Sequence, residues 1–459
     1  MPVLQCLKAV IERIPMANTL LTTLGTSPYS ETVYVFGERK ADRTRYVAKA
    51  LCQLFDIERV IVLLTQEAHD THWKHLQDCL PPHVEKIAKA IPEGKTEAET
   101  WEIFDVLVDS IEPHTRLVFD ITHAFRSIPV LVLLGAALLR KAKNVEIQGL
   151  YYGLYRSGQA ETPIIDLTPA LRLLDWLTAT DKFISTGSAL ELGQLLDTVQ
   201  RDFYRRQKSG KGDPRPTRLQ SFGRAIRNVS RSLELVRPVN LLKEDLPNLQ
   251  KHSTADLEQE VGQFAKPFGL LLRSIQDSYS QLALPADRAS DPKAQVQKQF
   301  QLLRWYVEKR LITQALLLAR EWVVSALCLC EGIQNYLERE ERQGIEHQLA
   351  SLIPREDQPL GDPPATGESG RSLIPREDQP QALPPITAHV PDAKQLADLW
   401  SRLSQYRNDV AHVQMNPDPL NSEALESFVL QDLLPGLEEL FPKLTWAEGK
   451  LEGDLSTSP

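Results

Sequence analysis

The chain has 459 residues, 42% of them hydrophobic and 25% charged, with a formal net charge of −9. That length exceeds one ordinary core, so two or three domains are expected, and the acidic balance argues against a protein that coats nucleic acid indiscriminately while leaving local basic patches open. Five cysteines (Cys6, Cys52, Cys79, Cys328 and Cys330) form no CxxC pair and no even framework, which points to reduced thiols and a cytoplasmic setting.

Residues 1–15 are amphipathic but carry Glu12 and Arg13, so they read as an extension rather than a signal peptide, and no run reads as long and apolar enough to span a bilayer. From Asn18 onward, apolar β-rich runs alternate with helical stretches. NTLLTTLG, VIVLL (60–64), RLVFDIT (116–122) and VEIQGLYYGLY (145–155) are continuous hydrophobic runs, as strands covered on both faces require. RTRYVAKALCQLF, ETWEIFDVLVDSI and PVLVLLGAALLRKAK between them carry helical periodicity. Strand, helix, strand in succession predicts an α/β, Rossmann-like domain over 16–183 with a mostly parallel sheet.

After about Lys182 the texture turns all-helical, giving a helical linker domain over 184–296 and a second all-α domain over 297–459. Residues 201–237 hold eleven basic residues against three acidic ones. Such a run is either a solvated helix face or a patch for RNA phosphates. SLIPREDQP occurs twice, at 351–359 and 372–380, inside a proline-rich stretch that marks a disordered insert of about 351–392.

Two strand ends are polar in a way that suits an anion. The first strand runs into Gly25, Thr26 and Ser27. The strand at 116–120 runs into Thr122, His123, Ala124, Phe125, Arg126 and Ser127 before a helix begins, offering hydroxyls, a guanidinium and free helix N–H groups. No Gly-x-Gly-x-x-Gly and no P-loop lysine is present, which disfavours dinucleotide enzymes and P-loop ATPases. His69, His72 and His75, spaced by three, lack the second partners of a zinc site, so no metal is expected.

LLTTLGTSPYSETVY, DITHAFRSIPVL, IQGLYYG and PIIDLTPALRLLDWL, in this order over 18–183, resemble the CRISPR-associated Rossmann-fold (CARF) sensor of type III systems, closest to the CARF–HEPN ribonucleases. The resemblance implies a dimeric sensor that binds a cyclic oligoadenylate, four adenylates rather than six. Gly25, Thr26, Ser27, Thr122, His123 and Arg126 would line that ring. Ala124 stands where the family usually carries glycine.

Arg407-Asn408-Asp409-Val410-Ala411-His412 resembles the Arg-x-x-x-x-His motif of HEPN nucleases. The bare pattern also fits Arg342 to His347, but that segment is very polar, contains Gly344 and offers nothing to bury or orient a base. Arg407 to His412 follows Leu399, Trp400 and Leu403 on a helix that can anchor a site. Five residues of α-helix turn through about 140°, so Arg407 and His412 share no face of one straight helix. A break at the helix start or contributions from two subunits are required, and the resemblance implies a composite cleft between two HEPN domains. Glu321 is a candidate partner for Arg407.

The expected activity is metal-independent cleavage of single-stranded RNA, in type III CRISPR antiviral defence. The ribose 2′-hydroxyl attacks the adjacent phosphate, leaving a cyclic phosphate and a free 5′-hydroxyl. Histidine moves the protons, arginine stabilises the developing charge, and Asn408 orients His412 or holds a phosphate oxygen. The expected partners are the ring, the RNA and a second copy of the chain, with no membrane. Two alternatives stay open: a non-catalytic sensor controlling a helical partner-binding module, and a sensor that degrades its own ring.

Overall fold

The computed structural model describes residues 17–123, 128–206, 214–353, 384–415 and 417–445. The chain divides into two compact units, Met1–Asp175 and Trp176–Pro459.

The first unit is an eight-stranded sheet in the order β3-β2-β8-β7-β6-β1-β4-β5. Its strands are β1 (Asn18–Leu24), β2 (Val33–Phe36), β3 (Arg39–Lys40), β4 (Arg59–Leu64), β5 (Glu85–Ala90), β6 (Arg116–Asp120), β7 (Glu146–Gly153) and β8 (Glu161–Asp166). β7, β6, β1, β4 and β5 run parallel, β8 is antiparallel to β7, and β2 runs parallel to β8. The longer helices of this unit are α1 (Val47–Leu54), α2 (Glu97–Asp109) and α3 (Ile128–Ala142), and α4 (Thr168–Thr186) carries the division between the units.

Strand periodicity builds two cores, one on each face of the sheet. Leu20 and Leu24 of β1 join Val60, Val62 and Leu64 of β4 on the side of α1. Leu21, Ile61 and Leu63, the intervening residues, pack with Leu117 and Phe119 of β6 and with Leu107 of α2 and Leu131 and Ala136 of α3. This is the doubly covered sheet that the continuous apolar runs predict. β5, on the edge, alternates charge and apolar residues and is largely accessible, with Lys86 and Lys89 of the kind that discourages edge pairing.

The chain runs from β1 to β4 and β5 on one side, then returns to β6 and β7 on the other. The order therefore reverses between β1 and β6, whose registers pair Leu20 with Val118. At such a switch point the loops leaving the two strands part and open a crevice.

The second unit is helical. Its longer helices are α5 (Leu190–Arg206), α6 (Leu219–Glu234), α7 (Ala255–Phe264), α8 (Lys266–Ser280), α9 (Pro292–Glu308), α10 (Ile312–Cys330), α11 (Arg339–Ser351) and α12 (Ala393–Ala411). One continuous hydrophobic cluster runs from Trp176 through Phe222, Phe268, Phe300 and Trp322 to Leu444, so segments 184–296 and 297–459 share a core.

Two sequence expectations need correction. The stretch taken as insert includes a 3-10 turn, Pro385–His389, whose Ile386 is fully buried, so its last residues belong to the folded unit. Residues 354–383, with most of the repeat, lie outside the described residues. Helix α10 is long and apolar enough, by length and composition, to cross a membrane. Here Leu316, Ala319, Trp322 and Val323 are buried within the helical core, and Arg320 and Glu321 sit in an ion-pair network, as in a core helix.

Candidate functional site

The loops leaving β1 and β6 meet over one buried carboxylate. Asp120, the last residue of β6, is 1% exposed and accepts hydrogen bonds from the Thr22 hydroxyl (2.6 Å), the Thr122 amide (3.0 Å) and the Thr122 hydroxyl (2.5 Å). Burial pushes its pKa up, and the hydroxyls of Thr122 and Thr22 and the Thr122 amide oppose that. Thr122 Oγ1 in turn accepts the amide of Gly153 at 2.8 Å, which ties the end of β6 to the end of β7. A side chain at Gly153 would meet Tyr34 at 3.0 Å and Thr122 at 3.2 Å, so the close approach favours glycine.

At the end of β1, the Gly25 amide donates to the Tyr29 hydroxyl at 2.6 Å, and that hydroxyl donates to the Gly25 carbonyl at 3.1 Å. The Tyr29 ring is stacked between two imidazoles, His123 with its centroid at 3.9 Å and His72 at 4.4 Å. His72 reaches Ser27 O at 3.0 Å through Nε2 and Tyr46 Oη at 3.2 Å through Nδ1. One aromatic pile thus joins the loop after β1, the helix after β4 and the loop after β6.

The structure brings Gly25, Thr26, Ser27, Thr122 and His123 together at the switch point. Arg126 lies outside the described residues. Sequence reasoning missed Tyr29, His72 and Asp120. His72 was set aside as one of three spaced histidines, and only its distance from Ser27, forty-five positions earlier, reveals its place. Among the described residues no group of three or more His, Cys, Asp or Glu is arranged to hold a metal ion.

His123 Nε2 is buried without a hydrogen-bond partner among the described residues. Burial, reinforced by His72, lowers its pKa to about 4. The unfolded chain takes up this proton near the ordinary value of about 6.5, while the folded one does so only near 4, so stability present at neutral pH is lost as pH falls. The expected loss is roughly 2 kcal/mol by pH 5. Urea unfolding at pH 7 and pH 5 checks this: the midpoint should drop, and His123→Gln should flatten the drop. An unchanged midpoint would contradict a neutral, buried imidazole.

The second candidate site lies on α12. Asp392 caps its start, accepting the amides of Lys394 and Gln395 at 2.8 and 3.1 Å. Leu396, Leu399, Trp400 and Leu403 form its buried stripe and dock it in the helical core. Arg407, two turns beyond Trp400, continues that stripe. Its Nε is buried without a hydrogen-bond partner, and burial, then the cation of Arg320, lowers its pKa despite Glu321 and Glu346 nearby.

His412 is the residue at which α12 ends. It is exposed, its amide donates to Asn408 O at 2.9 Å, and Val413 and Gln414 follow in the left-handed region with φ of 53° and 63°. For β-branched Val413 that conformation is strained. The buried Asp409 shapes the turn by accepting the Leu420 amide at 3.2 Å. α12 is continuous from Ala393 to Ala411 and the His412 amide still closes a helical turn onto Asn408, so no break separates Arg407 from His412 and the 140° offset between them stands. Asn408 is partly buried one turn before His412.

Glu321 does not pair with Arg407. It binds Arg320 at 2.6 Å and Arg342 at 2.7 Å, and these cations lower its pKa although burial raises it. Arg342 is held firmly. It donates to Ser325 Oγ, to Tyr336 O and to both the carbonyl and carboxylate of Glu321. Its donors are thereby committed to the protein, and its sequence companion His347 is exposed on α11. Arg342 therefore reads as a fold residue and Arg407 as the cation left without an ion pair among the described residues.

No family model matches the chain. It is 31% identical over 121 residues, 25% of its length, to the CRISPR-associated protein MJ1674 of Methanocaldococcus jannaschii, and the match spans 19% of that relative. The solved structure of Enterococcus italicus Csm6 bound to cyclic hexa-2′-fluoro-hexa-dAMP aligns over 94% of this chain and 95% of its own, at 11% identity and a TM-score of 0.37. Over a quarter of its length, the chain is a distant homologue of a CRISPR-associated protein.

Proposed function

We propose that the chain is a ribonuclease switched on by a cyclic oligoadenylate. The observation that carries this reading is Arg407: a half-buried guanidinium whose buried Nε has no hydrogen-bond partner among the described residues, on the helix that ends at the exposed His412. A partly buried cation with a buried, unbonded N–H is costly to keep for stability alone. A phosphate is the anion that would complete it, and an imidazole on the same helix supplies the proton transfer that phosphate chemistry needs.

In the reaction, the 2′-oxygen forms a bond to phosphorus and the bond to the 5′-oxygen breaks. A proton leaves the 2′-hydroxyl and one arrives on the 5′-oxygen, with His412 moving protons and Arg407 countering charge on the non-bridging oxygens. The ring binds at the switch point, where Gly25, Thr26, Ser27, Thr122 and His123 converge. Its negative phosphates there favour one arrangement of the sensor and shift the population toward the cutting form. The chain works as a homodimer in the cytoplasm.

The test is cleavage of single-stranded RNA by the full chain in EDTA, with no ring, cyclic tetra-adenylate or cyclic hexa-adenylate. Cleavage with the tetra-adenylate, leaving cyclic phosphate ends, is expected. No cleavage with either ring would overturn the reading.

A further inference from the structure

The sequence singles out 201–237 as basic, and the structure sorts those charges. α5 and α6 form a helical hairpin, joined by Asp197–Arg227 at 2.9 Å and by the Gln220 amide on Gln200 Oε1 at 2.9 Å. Several cations are spent on the fold: Arg227 on Asp197, and Arg218 on Asp256 at 2.6 Å. Arg201, Arg205, Arg224 and Arg231 are exposed and make no ion pair among the described residues; Arg231 has only a 3.5 Å contact to Asn228.

These four lie on one side. On α5 the outward positions Gln194, Thr198, Arg201 and Arg205 follow helical spacing, and Asp197 lies between them and the residues that meet α6. On α6, Gln220, Arg224 and Arg231 form the outward stripe, and Arg227 again lies between that stripe and α5. The Asp197–Arg227 pair therefore marks the face on which both stripes open. By helical rise, Arg224 and Arg231 are about 10 Å apart and Arg201 and Arg205 about 6 Å apart. Tyr204, 48% exposed, lies beside them, about 60° round the helix from Arg201. Of the acidic residues nearby, Asp202 stands about 60° round the helix from Arg205 and about 100° from Arg201, and two others are engaged. Glu191 binds Lys182 at 2.6 Å, and Glu234 accepts from Ser230 at 3.0 Å.

The geometry points to this hairpin face as a docking track for the phosphates of single-stranded RNA, a substrate-holding surface apart from the Arg407/His412 site. The inference rests on the ribonuclease reading for the identity of the polyanion. A row of unpaired guanidiniums in a chain of net charge −9 is complementary to a phosphate backbone. An exposed aromatic among them adds a stacking surface for an unpaired base, which an acidic membrane would not use.

The test compares the full chain carrying His412→Ala with the same chain also carrying Arg201→Ala, Arg205→Ala, Arg224→Ala and Arg231→Ala. Fluorescence anisotropy follows a labelled single-stranded RNA between about 50 and 200 mM salt. The fourfold change should weaken binding roughly tenfold or more and flatten the log–log salt slope by about 0.7 per lost contact. Arg→Lys at the same four positions should keep the slope, which separates lost charge from misfolding. Equal affinity and slope would overturn the proposal. So would tighter binding to phosphatidylserine vesicles than to RNA with the same four-residue dependence. If the wild-type chain cuts no RNA with any ring, yet the binding difference is found, the nuclease reading fails and the track stands. If it cuts and the difference is absent, the reverse holds.

Discussion

Replacing His412 with alanine is expected to reduce ring-stimulated RNA cleavage by a factor on the order of 10² to 10⁴ while leaving the unfolding transition where it was. The side chain is exposed, and its residue's hydrogen bonds are those of the backbone at the helix end, so its removal touches no packing. Arg407→Ala should cause a loss of similar size, on the order of 10² or more, again without loss of stability. That second expectation is the sharper one. Removing a half-buried arginine ordinarily destabilises, because a partner is left unpaired. Here Arg407 has no such partner among the described residues, and burial with the nearby cation of Arg320 outweighs the attraction of Glu321 and Glu346, so alanine relieves an unfavourable burial. Arg407→Lys should not restore the rate, since an ammonium cannot present the planar fork to two phosphate oxygens. Cleavage rate and thermal unfolding on the same samples check all three. A strong drop in melting temperature for Arg407→Ala would mean that the cation serves the fold.

Asp120→Ala is expected to destabilise the sensor unit by about 2–4 kcal/mol, since it strands buried donors at the centre of the switch point. Thr22 loses its acceptor, and Thr122 loses the acceptor of both its amide and its hydroxyl. Thr122 also receives the Gly153 amide, so the ends of β6 and β7 and the adjoining His123 should loosen together. Asp120→Asn keeps an accepting oxygen of the same shape and should cost less. Urea unfolding gives the stability, and the ring concentration needed for half-maximal cleavage reads the site. For Asp120→Ala that concentration should rise. Unchanged stability would mean that the threonines find other partners and that Asp120 does not hold the crevice.

How much of this was legible in the sequence follows from what periodicity can carry. β1, β4, β6 and β7 are central strands, covered on both faces, and announce themselves as unbroken apolar runs. β5 and β8 are half-exposed, and β2 and β3 are only four and two residues long, so each is too polar or too short to stand out. The polar residues at the strand ends were legible because a switch point needs small and hydroxyl-bearing residues there. Asp120 was not, because a carboxylate at a strand end looks like a surface group until three donors are seen to converge on it. The two Arg-x-x-x-x-His segments could not be told apart by spacing. Context favoured Arg407 because nothing near His347 would bury or orient a base, and His347 is exposed on α11; the anchoring of Arg342 was not legible. Glu321 and Ser325 come from a distant helix, and no local pattern reports them.

The account stands most directly on one titration. Cyclic tetra-adenylate is added to the full chain while ring occupancy and the rate of RNA cleavage are read in the same sample, with EDTA present. The rate is expected to climb in step with occupancy, and His412→Ala to bind the ring as tightly while cutting nothing. A ring that saturates the sensor without raising cleavage would contradict it.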